Sequence, residues 1–178
     1  MTTIDTDRLV LRPPVPEDAE ALAPMYADPE VMRYLGDGRT LTPAQTERSV
    51  RRMIDGWEAD GFGLFTTVRK ADQTVIGRIG LIVWNPETWE TTRANGGGPT
   101  ELEVGYTLGR PFWGNGYATE AAAAARDFAL GQLGARRLIA LIIHGNEPSE
   151  NVARKLGFEY ERDIVFGRRS ARLFTLET

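Results

Sequence analysis

The 178-residue chain contains no cysteine and a single histidine, His144. The missing cysteine excludes disulfides, thiolate metal sites and a cysteine nucleophile, and it fits a reducing compartment. No metal is expected. No apolar run reaches the length of a membrane-spanning helix. The opening stretch, MTTIDTDRLVLRP, interrupts its short apolar run with charges and lacks the hydrophobic segment of a secretion signal. A cytoplasmic location without membrane partners is the expectation. An excess of positive charge is missing too. The formal net charge is −4, which disfavours nucleic-acid backbones as partners and mildly favours a cationic acceptor such as an amine. The pairs Arg51–Arg52, Arg136–Arg137 and Arg168–Arg169 read as solvated surface charge. Repeats, low-complexity tracts and linkers are also absent, so one domain is expected over residues 1–178.

Hydrophobic residues make up 42% and charged residues 26%, the balance of an ordinary globular chain. Arg8–Arg12 reads as a short strand. Pro16-Glu17-Asp18 opens a helix that Asp28-Pro29 breaks, with a short helical continuation over Glu30–Leu35. Thr42-Pro43-Ala44-Gln45 is a capped helix start, after which Val50, Met53, Ile54 and Trp57 recur on one face as core. From Gly63 the period changes to that of strands: Leu64–Arg69, Thr74–Val83 and Leu102–Leu108, with a hairpin turn at Ala71-Asp72-Gln73. Trp84–Thr100 is a long loop holding Gly96-Gly97-Gly98. A helix over Gly116–Leu130, a strand over Arg137–Ile143, a helix over Pro148–Leu156 and strands over Phe158–Phe166 and Arg172–Leu176 complete the chain. This order specifies an α/β fold, with a mixed sheet of parallel and antiparallel parts.

The most informative segment is Leu108-Gly-Arg-Pro-Phe-Trp-Gly-Asn-Gly-Tyr-Ala-Thr-Glu-Ala121. A strand ends, a turn carries Gly114 and Gly116, and an alanine-rich helix begins at once. Glycines let backbone N–H groups converge on a ligand, and the helix start adds unpaired donors and its positive dipole end. The natural guest is a pyrophosphate. No lysine followed by serine or threonine accompanies the glycines, so a nucleotide P-loop is disfavoured. The third glycine of the dinucleotide fingerprint is missing as well. On local grounds alone, a plain tight strand–helix turn stands equally open.

Trp113-Gly-Asn-Gly-Tyr-Ala118 resembles the acetyl-CoA signature of the GNAT superfamily of N-acetyltransferases. The run to Ala121 is similar to the branch of the ribosomal-protein-alanine N-acetyltransferases. Thr6–Arg12, Glu103–Tyr106, Asn146–Ser149 and Lys155–Phe158 agree with that branch in order and spacing. The resemblance implies a GNAT-like acyl-CoA N-acyltransferase fold: a central, mostly antiparallel sheet, flanking helices, and a parallel strand pair that splays apart at a bulge. Acetyl-CoA, as co-substrate, would lie in the opening, its pantetheine along Tyr106, Thr107 and Leu108. Its pyrophosphate would rest on Trp113, Gly114, Asn115, Gly116, Tyr117, Ala118 and Thr119, and Asn146 would touch the pantetheine arm. Trp113 departs from the superfamily's glutamine or arginine, so its side chain should pack while its backbone donates.

Acyl transfer to an amine needs a neutral amine, a donor for the developing oxyanion and a proton for the leaving thiolate. A backbone N–H around Thr107 or Leu108 would polarise the thioester. The tyrosine that many superfamily members place seven residues after the motif asparagine is absent, since Ala153 stands there. The branch's substitute acid would be Ser149, which is equally readable as the N-cap of the following helix. Glu103 is the candidate base, with Glu101 behind it; His144 or water would be alternatives. Trp84, Trp89 and Tyr34 are candidates for shaping an acceptor pocket. The acceptor would be a small-molecule amine or a protein N-terminus, and a homodimer remains open. The other reading of the same fold is an acyl-CoA-binding module without turnover.

Overall fold

The computed structural model describes residues 2–178 and arranges eight strands in one open sheet. They are β1 (Ile4–Asp5), β2 (Leu9–Arg12), β3 (Leu64–Arg69), β4 (Thr74–Trp84), β5 (Glu101–Leu108), β6 (Arg137–Ile143), β7 (Glu159–Phe166) and β8 (Arg169–Glu177). The spatial order is β1-β2-β3-β4-β5-β6-β8-β7. All neighbouring pairs are antiparallel except β5 and β6. The helices are α1 (Asp18–Ala27), α2 (Pro29–Met32), α3 (Pro43–Asp60), α4 (Tyr117–Gly131) and α5 (Glu147–Lys155).

The expected capping box holds at α3: the Thr42 side chain accepts from the Gln45 backbone, and the Gln45 side chain accepts from the Thr42 backbone. Gly61 closes that helix in the left-handed conformation, at φ 75°. Val50 and Met53 are buried as their spacing predicts, while Ile54 and Trp57 are only partly so. The continuation after Pro29 is shorter than expected and stops at Met32. β8 starts three residues earlier than its apolar pattern indicated, because Arg169 and Ser170 already pair with β7.

The two faces of the sheet are covered differently. On one side Ala121, Ala122, Ala125 and Ala129 of α4 are fully buried against Phe65, Ile79, Leu81 and Val104. Their missing bulk lets the helix lie close to the strands. On the other side Leu22, Met25 and Tyr26 of α1 pack with Val50 of α3 in a separate cluster. Side-chain alternation along β4 and β5 decides which residue joins which layer. Val104, Tyr106 and Leu108 point to the α4 side; Arg78 and Glu103 point to the other.

β5 pairs with β4 in unbroken register from Glu101 to Leu108. With β6 it shares a single paired position, Glu103 with Ile139. Beyond that point the two parallel strands diverge. The β4–β5 register shows no shift at the expected bulge: register shifts occur in the β3–β4 pair, where Ile76 of β4 is the extra residue, and in the β7–β8 pair.

Candidate active site

The divergence begins at a carboxylate. Glu103 reaches across the opening, and its Oε1 accepts the Leu141 backbone N–H of β6 at 3.1 Å. A strand partner would otherwise use that donor, so the side chain itself interrupts the parallel ladder. Its Oε2 accepts the Trp84 indole N–H at 2.6 Å. The residue is 7% exposed, and burial pushes its carboxyl up to about 6 despite these two donors and the nearby Arg78 guanidinium. Near neutral pH it is an ionised, hydrogen-bonded, weakly hydrated carboxylate.

A cleft of about 970 Å³ opens from this apex on the α1–α3 side of the sheet. Ser49, Arg52, Met53, Gly56 and Asp60 of α3 line it at helical spacing, so one face of that helix forms a wall. Glu103, Thr107, Asn146 and Ser149 line it too, as do Tyr34 and Trp84. Trp84 stacks edge-on against Phe166 at 5.2 Å, which fixes the indole that holds Glu103. The loop after β4 adds Thr91, Thr92 and Arg93. It is pinned there because the Ala94 N–H donates to Asp60 at 3.0 Å and Thr92 donates to the Val83 carbonyl at 2.9 Å.

Backbone direction along β5 refines the expected oxyanion donor. Gly109 N–H bonds the Ile76 carbonyl at 2.9 Å. Ladder alternation then turns the N–H groups of Thr107 and Gly105 into β4, and those of Tyr106 and Leu108 towards the opening. Thr107 is therefore not the free donor; Leu108 and Tyr106 are. The Tyr106 side chain lies on the α4 side, where its hydroxyl donates to the Ser149 carbonyl at 2.7 Å. Burial raises its pKa, so it stays a proton donor.

The glycine turn lies outside the cleft lining, at the far end of β5. Gly114 and Gly116 both take left-handed φ, 75° and 79°. The backbone N–H groups of Gly114 through Thr119 meet no protein acceptor among the described residues. Trp113 differs: its backbone N–H is taken by Arg110 and its indole donates to the Leu108 carbonyl at 2.8 Å. Its expected backbone donation is thus already spent within the protein. Asn115 locks the turn through the carbonyls of Phe112 and Trp113. Arg8 adds a cation: it pairs with Glu120 at 2.6 Å, donates to the Asn115 carbonyl and lies 4.5 Å over the Tyr117 ring. Six free donors, a helix start and an adjacent guanidinium suit an anionic group such as a pyrophosphate. A Cβ at Gly114 would meet nothing within 4 Å, so approach from outside is open.

At the opposite wall the structure corrects the alternative reading of Ser149. The N-cap of α5 is Asn146, whose Oδ1 accepts the Ser149 N–H at 3.4 Å. Ser149 is the third residue of the helix, and its hydroxyl is not used for capping. His144 is exposed and faces Asp163 at 3.2 Å, outside the cleft. Glu101 is tied to Arg137 at 3.2 Å. Trp89 sits in a loop turn at φ 55° and does not line the cleft. Sequence reasoning missed Arg78, whose place is set by sheet register alone. It also missed Arg8, although the Thr6–Arg12 motif contained it.

Comparison with known proteins agrees with this architecture. Residues 8–159 match the family model described as an acetyltransferase (GNAT) domain. A Bacillus licheniformis protein named uncharacterized N-acetyltransferase p20 is 33% identical over 162 residues, covering 90% of this chain and 84% of its own. The crystal structure of an acetyltransferase (GNAT family) from Bacillus anthracis superposes with a TM-score of 0.80 at 22% identity, covering 99% of this chain and 98% of that one. RimL, a ribosomal L7/L12 α-N-protein acetyltransferase solved with coenzyme A, superposes at 0.76 with 15% identity, covering 99% and 98%. Among the described residues no helix is long and apolar enough to cross a membrane, and no cluster of histidine and carboxylate side chains could hold a metal ion.

Proposed function

The chain belongs to the GNAT acetyltransferase domain family, and from that membership we propose that it acetylates a primary amine by direct attack on the acetyl-CoA thioester. The acceptor is a small-molecule amine or a protein N-terminal α-amine. The observation that carries the reading is Glu103 at the apex of the splay, buried, hydrogen-bonded and facing a cleft large enough for an acceptor.

The amine enters from the α3 side and loses its proton to Glu103, directly or through a water. Its nitrogen adds to the thioester carbonyl, whose oxygen takes up charge within reach of the inward N–H groups of β5, Leu108 or Tyr106. As the C–S bond breaks, the Ser149 hydroxyl protonates the departing thiolate and regains the proton that the new amide nitrogen sheds. Gly114–Thr119 hold the pyrophosphate through their free N–H groups, and Asn146 meets the pantetheine arm. Holding amine and thioester together supplies much of the acceleration.

Thiol release from acetyl-CoA, measured across N-terminal peptides, polyamines, aminoglycosides and amino acids, tests the proposal. Release above background with at least one amine class, abolished by Glu103→Gln, is expected. Binding of acetyl-CoA without release for any amine would make the chain an acyl-CoA-binding module instead.

A further inference from the structure

The acceptor side of the cleft carries positive charge that the protein does not neutralise. Of the two acids lining it, Asp60 is engaged by Arg93 and the Ala94 N–H, and Glu103 by Trp84 and Leu141. Three guanidiniums line the same space: Arg52, Arg78 and Arg93. Among the described residues Arg93 has Asp60, whereas Arg52 and Arg78 have no carboxylate within 4 Å.

Arg78 is the less ordinary of the two. It stands on the central strand β4, and its Nε is buried with no hydrogen-bond partner. Its guanidinium carbon lies 5.7 Å from the Tyr26 ring, whose hydroxyl is likewise buried and unpartnered. A partly desolvated guanidinium without an anion is costly, and it is the side chain best suited to a carboxylate. Register sets its relation to the base. Arg78 pairs with Thr107, and Ile82 pairs with Glu103, so the two side chains share a face four residues apart along the strands. That offset is about 13 Å between backbone positions, before either side chain extends.

We infer that the acceptor is an amine carrying a carboxylate, with Arg78 and Arg52 forming the carboxylate subsite while Glu103 faces the amine. This rests on the acetyl-transfer reading above and narrows its acceptor class. Net acidity of the chain, which by itself favours a cationic partner, is overruled locally by the two unpaired guanidiniums. With both side chains extended the charged ends lie closer than that offset, near enough for Arg78 to act on the Glu103 carboxyl, a spacing that suits an amine and a carboxylate separated by several bonds.

Two paired series of acceptors test the assignment: ω-amino acids from glycine to 6-aminohexanoate, and plain alkylamines of matching length. The wild-type protein should favour the carboxylate-bearing member by about tenfold or more in kcat/KM, the scale of one charge-assisted hydrogen bond. Arg78→Gln should erase most of that ratio through the acceptor KM, Arg78→Lys should restore part of it, and Arg52→Ala should lower it less. No preference in the wild type, or a ratio unchanged in Arg78→Gln, overturns the inference while leaving acetyl transfer standing. A rise confined to the acetyl-CoA KM would assign Arg78 to the co-substrate and also overturn it. Thermal shift of the coenzyme-A-saturated protein by 6-aminohexanoate gives a second readout free of turnover, since no acetyl group is present. A shift in the wild type that is lost in Arg78→Gln is expected; an equal shift in both sinks the subsite.

Discussion

Glu103 links rate to stability through one proton. Its carboxyl titrates near 6 in the folded protein, against 4.5 for the ordinary group, because burial outweighs its hydrogen bonds. As a base it works ionised, so kcat/KM should rise through an apparent pKa near 6 on the acid side. The stability effect has the opposite direction. A carboxyl with a raised folded pKa stabilises the fold fully below 4.5, and that contribution is lost as pH rises through 6. The shift corresponds to on the order of 2 kcal/mol. Melting temperatures of wild type and Glu103→Gln, taken from pH 4 to 7, should therefore show the wild type losing ground to the variant as pH rises. Parallel curves would mean the carboxyl titrates normally. Ser149 stands beside this at the same scale. Since Asn146 caps α5, Ser149→Ala should lower kcat by about a hundredfold or more, the range of general-acid catalysis, and leave acetyl-CoA affinity and melting temperature near wild type. Normal turnover in Ser149→Ala would remove it from the mechanism.

Among the elements, the turn into α4 concentrates the most unpartnered backbone donors in the fewest residues. Its glycines do separate work. Gly116 precedes the helix at φ 79° with Arg8 Nη2 3.4 Å from where a Cβ would stand, whereas Gly114 has open space. Valine at 116 would be strained as well as obstructive, so both binding and fold should suffer. Gly116→Val should abolish measurable acetyl-CoA binding by calorimetry and also lower the melting temperature by several degrees, as about 1–2 kcal/mol of left-handed strain implies. Full affinity in a folded Gly116→Val protein would move the pyrophosphate elsewhere. The loop between β4 and β5 is tighter than its three consecutive glycines suggest. Thr92, Arg93 and Ala94 are tied to β4 and α3, although of residues 91–100 only Thr92 is even half-buried. A deletion spanning Glu90–Gly98 would remove cleft wall along with loop tip.

At the scale of the molecule, the site depends on a sheet that is closed at one end of the β5–β6 pair and open at the other. Arg137 on β6 binds Glu101 on β5, Glu161 on β7 and Glu177 on β8, which holds the closed end together. Glu103 then ends the pairing, and α4 over β4 and β5 and α5 beside β6 pack in one core on the same face of the sheet. Much of this was legible from the chain alone. Glycine and proline placement, the Thr42 cap, strand alternation and the alanine run gave the elements, because each obeys rules that act within a few residues. The glycine turn could be read as an anion site for the same reason. Three features were not local and so were not legible. Register alone turns the Thr107 N–H into β4 and those of Tyr106 and Leu108 into the opening. The Glu103 carboxylate takes a β6 donor where β5 leaves β6, and nothing in its spacing shows that it will capture a donor 38 positions away. Arg78 looks like any surface arginine in a strand until α1 and α3 cover it and leave its guanidinium facing the cleft without a partner. Sequence by itself determined most of the elements and the glycine turn before α4; tertiary packing decided which donors stay free and which charges stay unpaired, because both depend on what distant residues occupy first.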